Sequence, residues 1–587
     1  GLPATASRLE RPDGVAVGVD GSLYIADSFQ YRIRHLDPDG ILTTVAGSGA
    51  NSFSGDGGPA TAAGITPRRI ALAPDGSIYM TDNFSNRIRV IRPVLPDLAD
   101  GLVLLPAEDG SELYLFDSSG RHVETRDALT GAQRYVFGYD GSGYLVTVTD
   151  GVGNVTTIER TGALPTAIVA PGGQHTTLDH NSDGWLSKVT DPAGATHTMS
   201  YTPDGLLTQI TDPVANVHRF SYDALGRLIR DEDPAGGSVV LTRLRGANGY
   251  TVTTTSALGL VRAYSFEQLP TGAIRRQVTQ PSGAKTTTLI NTDGSEQITY
   301  PDGTVVTVQY GPDPRWGMLA PVATSVKFQT PGFRIRTVTT QRVVALASPG
   351  NLFSLTRMTD TITDNGAVNT VVYDHPARLI TITTAAGRTS SLHIDAQGRV
   401  SGLQLAGLAL STIGYDSRGL LSTLRAGSGA ASRITALTSD AATNLIGLSD
   451  PLSRTMQVAY DPIGRPLTQT LPGAQVIRYT YDANGNLTGL TPPGRPRHDF
   501  AYTPVEQLAW YDPPSVSASA DETRYSYNAD RRLTLVERPD GTMIGVDYDG
   551  VGRVASVTLG RGAITSAYNP ATARLTAVNA PEGIHLA

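Results

Sequence analysis

A short phrase that returns at a fixed interval constrains this chain more than any other feature. It reads Tyr460-Asp461-Pro462-Ile463-Gly464-Arg465-Pro466-Leu467, and 21 residues later Tyr481-Asp482-Ala483-Asn484-Gly485-Asn486-Leu487. Tyr222-Asp223-Ala224-Leu225-Gly226-Arg227-Leu228 is the fullest copy, and Tyr548-Asp549-Gly550-Val551-Gly552-Arg553-Val554 is close to it. Tyr139-Asp140, Tyr201, Tyr373-Asp374 and Tyr415-Asp416 occupy the same place in other copies. Asp191-Pro192, Asp212-Pro213 and Asp233-Pro234 keep the 21-residue interval in a second register. Self-similarity at a short fixed period means an array of like units, each too small to bury a core by itself.

The residues of one unit describe a β-hairpin. In Val476-Ile477-Arg478-Tyr479-Thr480-Tyr481 the side chains of Ile477, Tyr479 and Tyr481 share one face of a strand, because successive side chains alternate. Asp482 can accept a backbone hydrogen bond from two residues on, Gly485 can take the positive-φ position that ends the loop, and Leu487 opens the return strand. A second turn, Pro492-Pro493-Gly494 here and Asp191-Pro192-Ala193-Gly194 earlier, leads into the next unit. Two strands of about five or six residues per unit are marginal alone. Side by side they make one long sheet, and its twist predicts a spiral tube or hollow shell. Between residues 235 and 370 the phrase fades, yet Tyr250-Thr251-Val252-Thr253-Thr254-Thr255 and Thr304-Val305-Val306-Thr307-Val308 still read as strands. No amphipathic helix is evident, so the predicted class is all-β.

Residues 1–93 carry a longer repeat. Asp20-Gly21-Ser22-Leu23-Tyr24-Ile25-Ala26-Asp27 and Arg32-Ile33-Arg34 return 55 residues later as Asp75-Gly76-Ser77-Ile78-Tyr79-Met80-Thr81-Asp82 and Arg87-Ile88-Arg89. The phrase Pro3-Ala4-Thr5-Ala6 returns as Pro59-Ala60-Thr61-Ala62. Three short apolar runs per copy, parted by Asp-Gly turns, predict a meander of about four strands, the unit of a propeller blade. Pro93-Val94-Leu95-Pro96-Asp97 marks the boundary, with a linker expected over 94–109 and the hairpin array over 110–587. The chain starts at Gly1 without a Met or a leader, and it reads as a piece of something longer.

These residues carry two resemblances. The first repeat resembles the NHL repeat, and 45–62 looks like the connector between such blades in teneurin-like proteins. The Tyr-Asp-x-x-Gly-Arg-Leu phrase resembles the YD repeat, also called the Rhs repeat, over about 110–587. Asp313-Pro314-Arg315-Trp316-Gly317-Met318-Leu319-Ala320-Pro321 looks like a segment of the teneurin-type shell. The resemblance implies the last blades of an NHL-type β-propeller over 1–93, followed by a large spiralling β-shell, in a bacterial protein of the cell surface or exterior. Two blades do not close a propeller, so further blades are expected upstream.

Chemistry is sparse. With no Cys, disulfides and thiolate metal sites are excluded. Lys+Arg 47 against Asp+Glu 54 gives −7 with no basic block, which argues against nucleic acid as a partner. No apolar run is long enough for a membrane-spanning helix. The 10 His show no helical pair, and the nearest two, His175 and His180, read as packing residues. Asp482-Ala483-Asn484-Gly485-Asn486 imitates the start of a calcium loop, but Leu487 and Pro493 stand where its Gly and Glu belong. Asp231 and Asp233 are the best carboxylate pair, and Asp233 already belongs to the periodic turn. Asn83, Asn154 and Asn486 open glycosylation sequons. No catalytic, cofactor or metal residue is therefore assigned. The expected function is a non-enzymatic surface or secreted scaffold touching protein or glycan ligands on other cells. The alternative is a shell that encloses and releases a C-terminal polypeptide. A carbohydrate-active solenoid enzyme is the third reading, without a converging acid/base cluster to support it.

Overall fold

Alternating segments cut every few residues by Asp/Gly or Pro/Gly turns can satisfy their backbone groups only along a ladder of neighbours. The computed structural model describes residues 2–18, 22–37, 40–56, 60–72, 77–91, 102–348, 351–427, 429–515, 521–581 and 585–586. Among them there is no α-helix, and strands dominate. The turns at 20–21 and 75–76, the boundary at 93–97 and the start of the repeated phrase at 59 lie outside the described residues.

The first part holds two antiparallel meanders. Pro12–Val17, Leu23–Asp27, Arg32–Leu36 and Ile41–Ala46 pair in chain order, with Leu2–Pro3 added beside Ile41–Ala46. Pro67–Leu72, Ile78–Asp82 and Arg87–Ile91 form the second. The two pack on each other through Ile33, Ala46, Ala63, Ile65, Ile78 and Met80, all buried. The 55-residue interval has a physical meaning in Asp27 and Asp82. Both are buried at strand ends and accept a backbone N–H from the preceding segment, Glu10 at 2.8 Å and Thr66 at 3.3 Å respectively. Burial pushes the Asp27 carboxyl above its ordinary pKa, against the hydrogen bond from Glu10.

From Val103–Pro106 to His585–Leu586 every described strand is hydrogen-bonded antiparallel to the strands before and after it, and the last lies beside the first, closing the sheet as a barrel. The wall begins earlier than residue 110. Val103–Pro106, inside the stretch expected to be linker, pairs with Glu112–Phe116, and Leu104 is fully buried with Leu113 and Leu115. Four apolar residues, Leu102 to Leu105, could gain more from a wall strand than from a solvated linker.

Surface area establishes that the wall is one layer thick. The chain exposes 32583 Å², whereas a compact protein of this mass would expose about 20,000 Å². The excess arises because both faces of most wall strands stay partly accessible, so the closed sheet surrounds a hollow. One compact core thickens it. Trp316 and Ala320, from the segment singled out in the sequence, bury against Leu104, Leu113, Leu115 and Ala128. Arg315 donates to the Ala128 carbonyl at 2.7 Å, and Arg342 bridges Asp313 and Asp360. This brace lies among the longest strands, Gly317–Gln329 and Ile335–Leu346, where the 21-residue period is lost.

Candidate functional site

Each repeat position has a defined task in the wall. At the turn, Asp461 donates its backbone N–H to the Arg465 carbonyl at 3.0 Å and accepts the N–H of Gly464 at 3.0 Å. Its Oδ1 accepts the N–H of Ile463 and Arg465, and its Oδ2 accepts Nε of Arg465 at 2.6 Å. Asp223 and Asp549 do the same with Arg227 and Arg553. In Asp482 the partner is Asn486, while Asp140 and Asp416 accept the N–H groups two and four residues on. Gly226, Gly464, Gly485 and Gly552 close these turns at φ between 73 and 94. Burial would raise Asp461, but the backbone and guanidinium donors around it win and hold it below the usual carboxylate range. For Asp223 the Arg227 hydrogen bond lowers it in the same direction.

The tyrosines join one hairpin to the one before. Tyr201, Tyr222, Tyr415, Tyr460, Tyr481 and Tyr548 each donate their hydroxyl to the carbonyl of the residue 15 positions back, at 2.6–2.9 Å. That residue is the one opening the return strand of the previous unit, which is the task of the Leu position; Leu228 itself pairs with Tyr222. Tyr139 reaches the His122 carbonyl instead. Arginines add a second link: Arg465 lies over the Tyr481 ring at 4.9 Å, Arg399 over Tyr415 at 4.0 Å and Arg553 over Tyr568 at 4.3 Å. Burial raises the pKa of Tyr460 and Tyr481, as expected for hydroxyls committed to donation inside a wall. Tyr373 departs from the ladder. Its strand runs on through Asp374, its ring is buried, and its hydroxyl meets His375 Nδ1 at 3.3 Å.

A seam brings together residues that no local pattern links. The Asp-Pro type turns of 127–303 meet Tyr-Asp type turns of 395–574, the next coil of the spiral. Asn154 donates to the Arg418 carbonyl at 2.9 Å and Gln174 to the Ala442 carbonyl at 2.9 Å. Asn484 donates to Asp212 at 2.6 Å, Ser256 to Asp530 at 2.7 Å, and Arg531 to Asp233 at 2.8 Å. Arg574 pairs with Asp302. The partners stand 264 to 298 residues apart, so one coil takes about thirteen units of the sort read from the sequence. Arg531 occupies the left-handed turn position, at φ 61, that glycine holds in most copies.

Asp233, Asn154, Asn486 and His175 have structural partners, and Asp231 lines a recess with Asp233 and Asp530. Asp233 gives Oδ1 to the N–H groups of Ala235 and Gly237 and Oδ2 to Arg531. Asn154 and Asn486 spend their amides on Asp150, Arg418 and Asp482. His175 lies 3.4 Å from Glu159. Among the described residues no three His, Asp or Glu converge as a metal site, and no helix is long and apolar enough to cross a membrane.

The family described as Teneurin YD-shell matches residues 101–585. Mouse Teneurin-4 is 34% identical over 203 residues, covering 32% of this chain and 7% of its own length. Drosophila melanogaster Teneurin-m is 34% identical over 168 residues, covering 26% and 6%. The chain thus spans less than a tenth of these relatives. Among solved structures, the Photorhabdus luminescens Tc holotoxin pore aligns over 86% of this chain and 29% of its own, at 14% identity and a TM-score of 0.33. With its repeat turns, tyrosine ladder and closed hollow sheet, the chain belongs to the teneurin YD-shell family.

Proposed function

We propose that this chain is the non-enzymatic shell of a surface or secreted protein, a rigid scaffold that presents its wall and rims to protein or glycan ligands on other cells. One observation supports it most: the polar residues of the repeat are committed to turns, ladder and seam, as Asp461 is to Arg465, the Tyr481 hydroxyl to the Pro466 carbonyl and Asp233 to Arg531. NHL-type blades over 1–93 would extend the same scaffold, and the packed meanders there support that reading. The bacterial assignment rests on the YD-repeat and NHL-repeat resemblances together. The test is binding of the purified chain to cells of its own culture and to immobilised glycans and surface proteins. Saturable binding is expected, and its absence on every surface would remove the contact role.

The hollow favours a second reading, in which the wall encloses a C-terminal polypeptide of the longer protein. Limited proteolysis of the full-length chain separates the two. A C-terminal segment that resists protease until the wall is unfolded would favour enclosure.

A further inference from the structure

We propose that Asn484 is a deamidation site whose conversion to aspartate or isoaspartate unlatches the seam between the two coils, so that closure of the shell ages in one direction. Asn484-Gly485 is one of three Asn-Gly pairs in the chain, with Asn248-Gly249 and Asn365-Gly366. Of the three, only Asn484 bonds across the seam among the described residues. Its Nδ2 donates to Asp212 Oδ2 at 2.6 Å, on the earlier coil, and to Glu506 Oε1 at 3.3 Å, on the next turn of its own coil. Two acceptors on one side fix the orientation of the amide. Its Oδ1 is left buried, without a donor among the described residues.

A neutral donor between two acids is what makes this point of the seam attractive. Burial would raise the Asp212 carboxyl, but the side-chain amides of Asn484 and Asn216 hold it below the usual range. Two units further on, the same turn position is Asp530, and there the arrangement is reversed. Asp530 accepts the Ser256 hydroxyl at 2.7 Å and the Leu258 N–H at 3.1 Å, so a carboxylate meets donors. A carboxylate at 484 would meet carboxylates, and like charges so placed repel. The seam is therefore built for an amide at 484 and for an acid at 530.

The following residue supplies the nucleophile. Gly485 has no Cβ to hinder its nitrogen, and it sits at φ 94. Its N–H is held by the Asp482 carbonyl at 3.2 Å, the long end of the hydrogen-bond range. The Gly485 nitrogen attacks Cγ of Asn484, the Cγ–Nδ2 bond breaks, and the proton lost by Gly485 leaves with Nδ2 as ammonia. Water then opens the five-membered imide at either of its carbonyls, and the proton of the new carboxylic acid converts the ammonia to ammonium. Opening at one carbonyl gives aspartate, which exchanges a seam hydrogen bond for repulsion. Opening at the other gives isoaspartate, which also adds a carbon to the main chain within the turn closed by Asp482 and Gly485.

The test is peptide mapping by electron-transfer mass spectrometry, which separates aspartate from isoaspartate, on the 587-residue chain aged in mildly alkaline buffer. Asn248, in an exposed turn, is expected to convert first and Asn484 after it. Hydrogen exchange on the same aged samples should quicken over 212–217 and 482–488 in proportion to the converted fraction at 484. N484D should lose protection there about tenfold, with β content unchanged by circular dichroism, and D212N/N484D, which again sets an amide against an acid, should recover most of it. N248D should exchange at the seam as the parent does. An intact Asn484 after Asn248 has fully converted, seam exchange that does not follow the converted fraction, or parent-like protection in N484D would overturn the proposal.

Discussion

At the residue scale, an Asp with a depressed pKa is a statement about pH. Asp461, Asp212, Asp233 and Asp549 all lie below the ordinary value of 3.8 because donors outweigh burial. A carboxylate whose folded pKa is lowered contributes stability that is present above about 4 and lost as pH falls through the folded value. The thermal midpoint should therefore be flat from pH 5 to 8 and drop below about pH 4, and calorimetry across that range checks it. Tyr481→Phe removes the donor to the Pro466 carbonyl and should cost about 1 kcal/mol. Hydrogen exchange should report the loss locally, as faster exchange in 466–471 and 475–481. Gly552→Ala places a side chain at φ 84 and into the Arg532 guanidinium, so about 1–2 kcal/mol of local destabilisation is expected by the same measurement.

At the scale of the hairpin, much is legible in the sequence. The Asp, the closing Gly and the alternation of Ile477, Tyr479 and Tyr481 are consequences of local geometry, and local geometry is written in adjacent residues. The hydroxyl partner of each Tyr was not legible. It lies 15 residues back and depends on a bulge in the return strand, as at Tyr460 and Pro466, which only the paired register fixes. The strand Val103–Pro106 was missed because its copy of the phrase lacks Tyr and Asp, and its burial comes from Trp316 and its neighbours far along the chain. Tyr373 matched the phrase but sits where strands are long, so its turn follows a different geometry. The arginine ladder yields a prediction at this scale. Arg465→Ala removes the contact over Tyr481, the pairing with Asp461 and the bond to the Asp482 carbonyl together. Two adjacent hairpins should then loosen as a pair, read as increased exchange at both turns, while Asp450 and its turn stay unchanged.

At the scale of the molecule, the seam decides whether the chain is a ribbon or a vessel. Most of its ion pairs are partly exposed, and each is worth roughly 0–1 kcal/mol, so single substitutions should be silent. Asp212→Ala, Asp233→Ala and Asp302→Ala combined remove the acceptors of Asn484, Arg531 and Arg574. Small-angle scattering should then show a larger radius of gyration with little change in β content by circular dichroism. None of these pairings could be read in the sequence, because which turn faces which depends on the accumulated twist of many strands. The period alone supplied the existence of a coil, while its circumference came from the structure.

The spacing of the seam partners also sets a delay. A contact between residues 264 to 298 apart waits for that length of chain to be made, on the order of 13–60 seconds at about 5–20 residues per second. Through that interval the first coil stands with its docking edge uncovered to every other nascent chain. That edge carries Asp150, Asp191, Asp212, Asp233 and Asp302, like charges that disfavour the meeting of two such edges from unfinished molecules. The same acids that later receive Asn484, Arg531 and Arg574 thus keep two first coils apart until a second coil covers them.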